Sequence, residues 1–175
     1  FTIPLSWFYL GISCYLLARG GVLKQSGAFL GQLLALAIGA LLLMSWDFVL
    51  DPAMSQTAMP FWYWHTPGAF FGMPYQNFAG WFFTGLVFMA IAAGFWRGND
   101  RTKELTRSQL TLPLTVYIAN FSFATVMSLG GGIYTPVLLG LAVGVLPALL
   151  CWLAAPADGP NDVAAMPLRP AVEMP

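Results

Sequence analysis

The sequence predicts an all-α fold, a polytopic bundle of membrane-spanning helices. Three observations carry that prediction. The 175 residues are 58% hydrophobic and 8% charged, with a mean hydropathy of +0.72, whereas soluble domains carry about 25% charged residues. Five apolar runs reach or approach the roughly 20 residues that a spanning helix needs. The basic residues fall only in alternate connections between those runs, as a correct count of spans requires.

The predicted spans are 3–18, 28–50, 78–96, 110–129 and 133–155, which together make a bundle over 1–155. The first run is apolar from Phe1 and lacks the basic start of a signal peptide. We therefore expect the sequence to be truncated at its N-terminus, with one or more helices preceding it. Pro113, Pro136 and Pro147 fall in or at the starts of the last two runs, where neighbouring helices can re-satisfy the freed backbone. Gly80, Gly85 and Gly94 leave the third helix room for close packing. The tail, 156–175, is rich in Pro and Ala without hydrophobic period and should be ordered only where a partner, such as another subunit of a membrane complex, pins it.

All seven basic residues share one side of this arrangement. Arg19 and Lys24 follow the first span, Arg97, Arg101, Lys103 and Arg107 follow the third, and Arg169 lies in the tail. The positive-inside rule makes that side cytoplasmic. Asp47 and Asp51 then sit at the periplasmic end, in a bacterial inner membrane of cytoplasmic or photosynthetic type. Zero net charge argues against nucleic acid as a partner. Cys14 and Cys151 lie inside apolar runs and read as packing residues, not as a disulfide or a metal site.

The chemistry concentrates in 46–81, WDFVLDPAMSQTAMPFWYWHTPGAFFGMPYQNFAGW. Asp47 and Asp51 are four apart, so a helix puts them on one face. Two carboxylates in a low dielectric resist joint ionisation, and one of the pair should keep its proton at neutral pH. A carboxyl kept neutral is what general-acid catalysis needs. Alternatively, Asp51 caps the segment beginning at Pro52 and faces water. The connection 52–77 is long and aromatic, and we expect it to fold back over the bundle as a short interfacial helix or re-entrant cap. Its Trp, Tyr and Phe side chains fit either an interfacial belt or a site for a cation or a flat conjugated chain. His65, the one histidine, reads as a hydrogen-bonded loop residue; a haem or chlorophyll ligand is the other role open to it. Asn77 and Gln76 can bind a carboxyl or place a water, and Asn120 offers a buried amide in the fourth span. No phosphate loop, catalytic triad or metal-ligand spacing is present, and no cofactor is predicted.

The pattern WDxxLDP, the WxW doublet and PGAFFGMPYQNFAGW together resemble the signature of the integral-membrane carotenoid-biosynthesis family, which includes the CruF-type carotenoid hydratases. The match is specific over 46–81 and compositional elsewhere. Family members are longer at the N-terminus, in keeping with the expected truncation. The resemblance implies addition of water across the terminal C1–C2 double bond of an acyclic carotenoid, giving a tertiary alcohol without oxygen, metal or redox cofactor. The residues themselves fit that chemistry, with Asp47, Asp51 and Asn77 as the candidate catalytic groups. One aspartate would donate the proton, and its partner, with Asn77 or Gln76, would orient the water. Trp62, Trp64 and Trp81 would face the cation, with Trp46, Tyr75 and Asn120 completing the substrate site. The alternative is a non-enzymatic subunit that binds carotenoid or chlorophyll in a larger photosynthetic complex. A transporter is the weakest reading, because no inverted repeat is visible.

Overall fold

The structure is a computed structural model that describes residues 2–22, 28–96 and 105–158. Among them five helices run up and down: α1 Thr2–Val22, α2 Ala28–Ser55, α3 Tyr75–Trp96, α4 Arg107–Gly130 and α5 Thr135–Ala154. The fold is all-α, as predicted. Four helices are long and apolar enough to cross a membrane, namely Phe29–Ser55 of α2 and the whole of α3, α4 and α5. The first helix has 21 residues but carries Arg19 in its last turn and is not among those four.

The central helix is α2, which packs against each of the others. Its inward face carries Ala35, Leu42, Leu43, Trp46 and Val49, all buried. Most polar groups inside the bundle bond each other or backbone carbonyls, as an apolar surrounding demands, whereas the Trp46 indole N–H and the Thr125 hydroxyl are buried without a partner among the described residues. Tyr117 of α4 donates to the Leu42 carbonyl at 3.1 Å and lies 3.0 Å from the Ser45 hydroxyl. Ser128 donates to the Val49 carbonyl at 3.1 Å. The last helix widens to a π turn at Leu141–Val145, just ahead of Pro147, whose missing N–H removes one rung of the ladder. Gly144 sits in that turn directly against the Ser45 and Tyr117 hydroxyls.

The two ends of the bundle differ. At one end Arg107 folds over the end of α5, donating to the carbonyls of Ala155 at 3.1 Å and of Leu153. Its guanidinium also lies 5.8 Å from the centre of the Trp152 ring. A cation there complements the exposed carbonyls of a helix C-terminus. Arg19 lies at the same end, buried, donating to the Tyr15 hydroxyl at 3.0 Å. Lys24, Arg97, Arg101, Lys103 and Arg169 lie outside the described residues, as does the tail from 159 on, so its expected pinning has no structural counterpart here.

The opposite end holds Asp47 and Asp51, and of the two forms expected for 52–77, a short helix or a re-entrant cap, it is the second that folds back over the bundle. No interfacial helix forms. Instead α2 continues through Pro52 to Ser55, and α3 begins at Tyr75. What remains, 56–74, is an irregular loop that folds back on the bundle. In α3 only Gly85 meets a neighbouring helix; a Cβ there would lie 3.0 Å from Leu43, while Gly80 and Gly94 face open space.

A Cβ added at Gly144 would fall 2.6 Å from both the Ser45 and Tyr117 hydroxyl oxygens. Gly144→Ala should therefore cost about 1–3 kcal/mol of stability through overpacking, measurable as a lower unfolding midpoint in detergent.

Candidate functional site

The site is built on the last two turns of α2. Asp47 and Asp51 are each only 1% exposed. The reading of Asp51 as a water-facing cap is thereby overturned: the helix runs past it, and its carboxylate is enclosed. Buried carboxylates need donors, and these come from two directions.

The loop supplies two of them. The Trp62 indole N–H donates to Oδ1 of Asp51 at 2.7 Å, and the Trp64 indole N–H donates to Oδ2 at 3.0 Å. Residues two apart in a non-helical stretch point the same way, so the WxW spacing delivers both indoles to one carboxylate. Tyr63, between them, does not reach the carboxylate; it is 74% exposed and lies on the rim of the cavity described below. The loop is fixed further along by a tight turn, where Met73 N–H bonds the Phe70 carbonyl at 2.8 Å. Phe71 and Gly72 at its centre have φ of 48° and 83°, the left-handed region of a type I′ turn. Phe70 then packs among Phe48 and Phe78, with ring centres 5.8 and 5.2 Å away.

The first turn of α3 supplies the other donor. The Asn77 amide donates to Oδ2 of Asp47 at 2.8 Å, with the Met73 sulfur also 2.8 Å from that nitrogen. Among the described residues no other group donates to Asp47.

Above the pair lies a cavity of about 680 Å³, lined by both aspartates and mostly by rings. Trp7 of α1 stacks on Trp81 of α3 with ring centres 4.2 Å apart, and Trp46 meets Trp81 edge-on at 5.7 Å. On the α1–α4 side Tyr9 donates to the Asn120 side-chain oxygen at 2.9 Å, and the Asn120 amide donates to the Val116 carbonyl. Asn120 thus makes an interhelical hydrogen bond and lines the cavity at once.

Of the residues singled out in the sequence, Trp46, Asp47, Asp51, Trp62, Trp64, Asn77, Trp81 and Asn120 all line this one cavity. Tyr75 does not; it is 65% exposed, with its ring tilted against Phe78. Gln76 is exposed, and His65 is an exposed loop residue packed edge-on against Tyr63 at 5.4 Å. Sequence reading missed Trp7, Tyr9 and Phe123. An aromatic residue in an apolar helix has no spacing that sets it apart, and only the packing of α1 and α4 brings these three to the site. Among the described residues no three His, Cys, Asp or Glu side chains converge on a point that could hold a metal.

Residues 1–147 match a family model described as carotenoid biosynthesis protein. The chain belongs to that carotenoid biosynthesis protein family. The chain is also similar to the bisanhydrobacterioruberin hydratase of Haloarcula japonica, 33% identical over 87 residues. The aligned part is 50% of this chain and 28% of that protein, so the chain spans well under two thirds of its relative. No solved structure matches the chain. Family membership and the apolar helices support a role for the chain in carotenoid biosynthesis at a membrane.

Asn77→Ala would leave Asp47 without its donor. Leaving a buried acceptor unsatisfied costs about 1–3 kcal/mol, and a loss of that size should appear in chemical unfolding of the detergent-solubilised protein.

Proposed function

We propose that the chain adds water across the terminal double bond of an acyclic carotenoid. One observation carries this reading: a pair of enclosed carboxylates, one helix turn apart, borders an apolar, ring-lined cavity in a membrane protein. The kinship to a hydratase supports it.

The chemistry follows from what the cavity contains. An apolar pocket admits a polyene end. A carboxyl group that keeps its proton there can protonate the terminal alkene, because transfer to a weak carbon base needs an acid close at hand. The resulting tertiary cation meets the faces of tryptophan rings, which attract positive charge. Water then bonds to the cationic carbon and returns a proton to the carboxylate. The sum is one alkene plus one water giving one tertiary alcohol. Asn77, already fixed on Asp47, orients the group it touches. Arg19 and Arg107 mark the cytoplasmic end in this reading, and the aspartates work near the periplasmic face of the membrane.

Membranes containing the protein and a linear ψ-ended carotenoid should yield a product heavier by one water. Run in heavy water, the reaction should place one carbon-bound deuterium next to the new alcohol carbon. Asp47→Asn should lower turnover by about 100-fold or more with insertion intact. A purified protein that holds unmodified pigment in stoichiometric amount and forms no alcohol would instead favour a pigment-binding subunit.

A further inference from the structure

Resting on the hydration reading, we propose that the two aspartates do unlike work. Asp47 is the proton donor. Asp51 is a positioning residue that acts through Trp62 and Trp64, holding their rings as the wall that meets the cation.

The asymmetry is in the hydrogen bonds. Both oxygens of Asp51 are occupied, each by an indole N–H, at 2.7 and 3.0 Å. A proton on either oxygen would weaken the acceptor that one of those N–H groups uses. Two converging donors suit a carboxylate that stays ionised. Asp47 differs. Asn77 holds Oδ2 at 2.8 Å, and among the described residues no group donates to Oδ1. A proton on Oδ1 displaces nothing, and Asp47 borders the cavity.

The role of Asp51 follows from where its donors lie. Trp62 and Trp64 line the same cavity as Asp47. An N–H that donates to an anion leaves its ring richer in electrons, and a richer ring face attracts a cation more strongly. The carboxylate therefore acts on the reacting carbon at one remove, without touching it. It also ties a loop that has no helix of its own to the end of α2.

The reaction balances with Asp47 alone as acid and base. Its O–H bond breaks as the alkene π pair forms a C–H bond at C2, leaving the cation at C1. The water oxygen bonds to C1 and loses a proton to the Asp47 carboxylate, which restores the acid.

A mutant cycle in the hydration assay tests this division. Asp47→Asn should lower kcat by about 100-fold or more. Asp51→Asn and the double variant Trp62→Phe/Trp64→Phe should each lower kcat by about tenfold, the size of one or two cation–π contacts. The triple variant should be no worse than Asp51→Asn, because all three residues act as one unit. Ultraviolet resonance Raman spectra should show two strongly hydrogen-bonded indoles in the wild type and in Asp47→Asn, and at most one, held more weakly by a neutral amide oxygen, in Asp51→Asn. Asp51→Asn abolishing turnover in the Trp62→Phe/Trp64→Phe background, with Asp47→Asn still active, would reverse the roles and overturn the proposal while leaving hydration intact. Should Asp51→Asn fail to accumulate, the single variants Trp62→Phe and Trp64→Phe replace it, each leaving one indole on Asp51. A severalfold fall in both supports the proposal, and unchanged turnover in both overturns it. A wild-type protein that forms no alcohol removes the hydration reading and this role for Asp47 together.

Discussion

Two carboxylates one turn apart on an apolar helix must find donors, and the donors must come from elsewhere in the chain. The end of the bundle is arranged around that need. An enclosed carboxylate without partners costs several kcal/mol, so Asp51 draws the loop back onto α2 through Trp62 and Trp64, and Asp47 draws in the first turn of α3 through Asn77. The irregular course of 56–74 follows from this. A helix there would send residues 62 and 64 about 200° apart, and one indole would lose its partner. The left-handed turn at Phe71 and Gly72 then lets the chain reverse and drop Phe70 between Phe48 and Phe78 before α3 begins.

The nature of the donors matters as much as their number. Asp47 and Asp51 are satisfied by an amide and two indoles, all neutral. An arginine or lysine in the same place would hold both carboxylates ionised and leave no proton to give. The two described arginines lie at the other end, where Arg107 covers the last carbonyls of α5 and Arg19 is enclosed beside Tyr15. Among the described residues, no lysine or arginine lies at the acidic end.

The all-α architecture was legible from composition and from the alternation of basic connections, because both reflect the cost of charge in an apolar medium. The shared face of Asp47 and Asp51 followed from helical spacing alone, and the crowding of rings in 46–81 pointed to the right end of the molecule. The extent of α2 was not legible. A proline after an aspartate reads as a stop, yet Pro52 sits where α2 has only one turn left to run, and Ser55 bonds the Asp51 carbonyl at 2.7 Å. Nor was Tyr75 separable from its neighbours. It shares the composition of the site, but the first turn of α3 aims Asn77 inward and leaves Tyr75 outside. Trp7 and Tyr9 were hidden for a different reason: their partners, Trp81 and Asn120, are more than seventy residues away and nothing local records the contact.

The same long-range contacts define how a substrate would meet the acid. Tyr9 and Phe123, on α1 and α4, also line the cavity, and Phe123 is 54% exposed. The cavity is therefore bordered by side chains that also face the surroundings of the helices, which for a spanning helix are lipid. A space of about 680 Å³ is in the range of a pocket for a small molecule and suits one end of a long polyene better than the whole of it. Under the proposed reaction that is sufficient. Only the terminal double bond has to reach Asp47, and the remainder of the chain can stay in the apolar phase from which it came. The aromatic wall then has two tasks that do not conflict, excluding bulk water from the carboxyl pair and presenting ring faces to the one carbon that becomes positive.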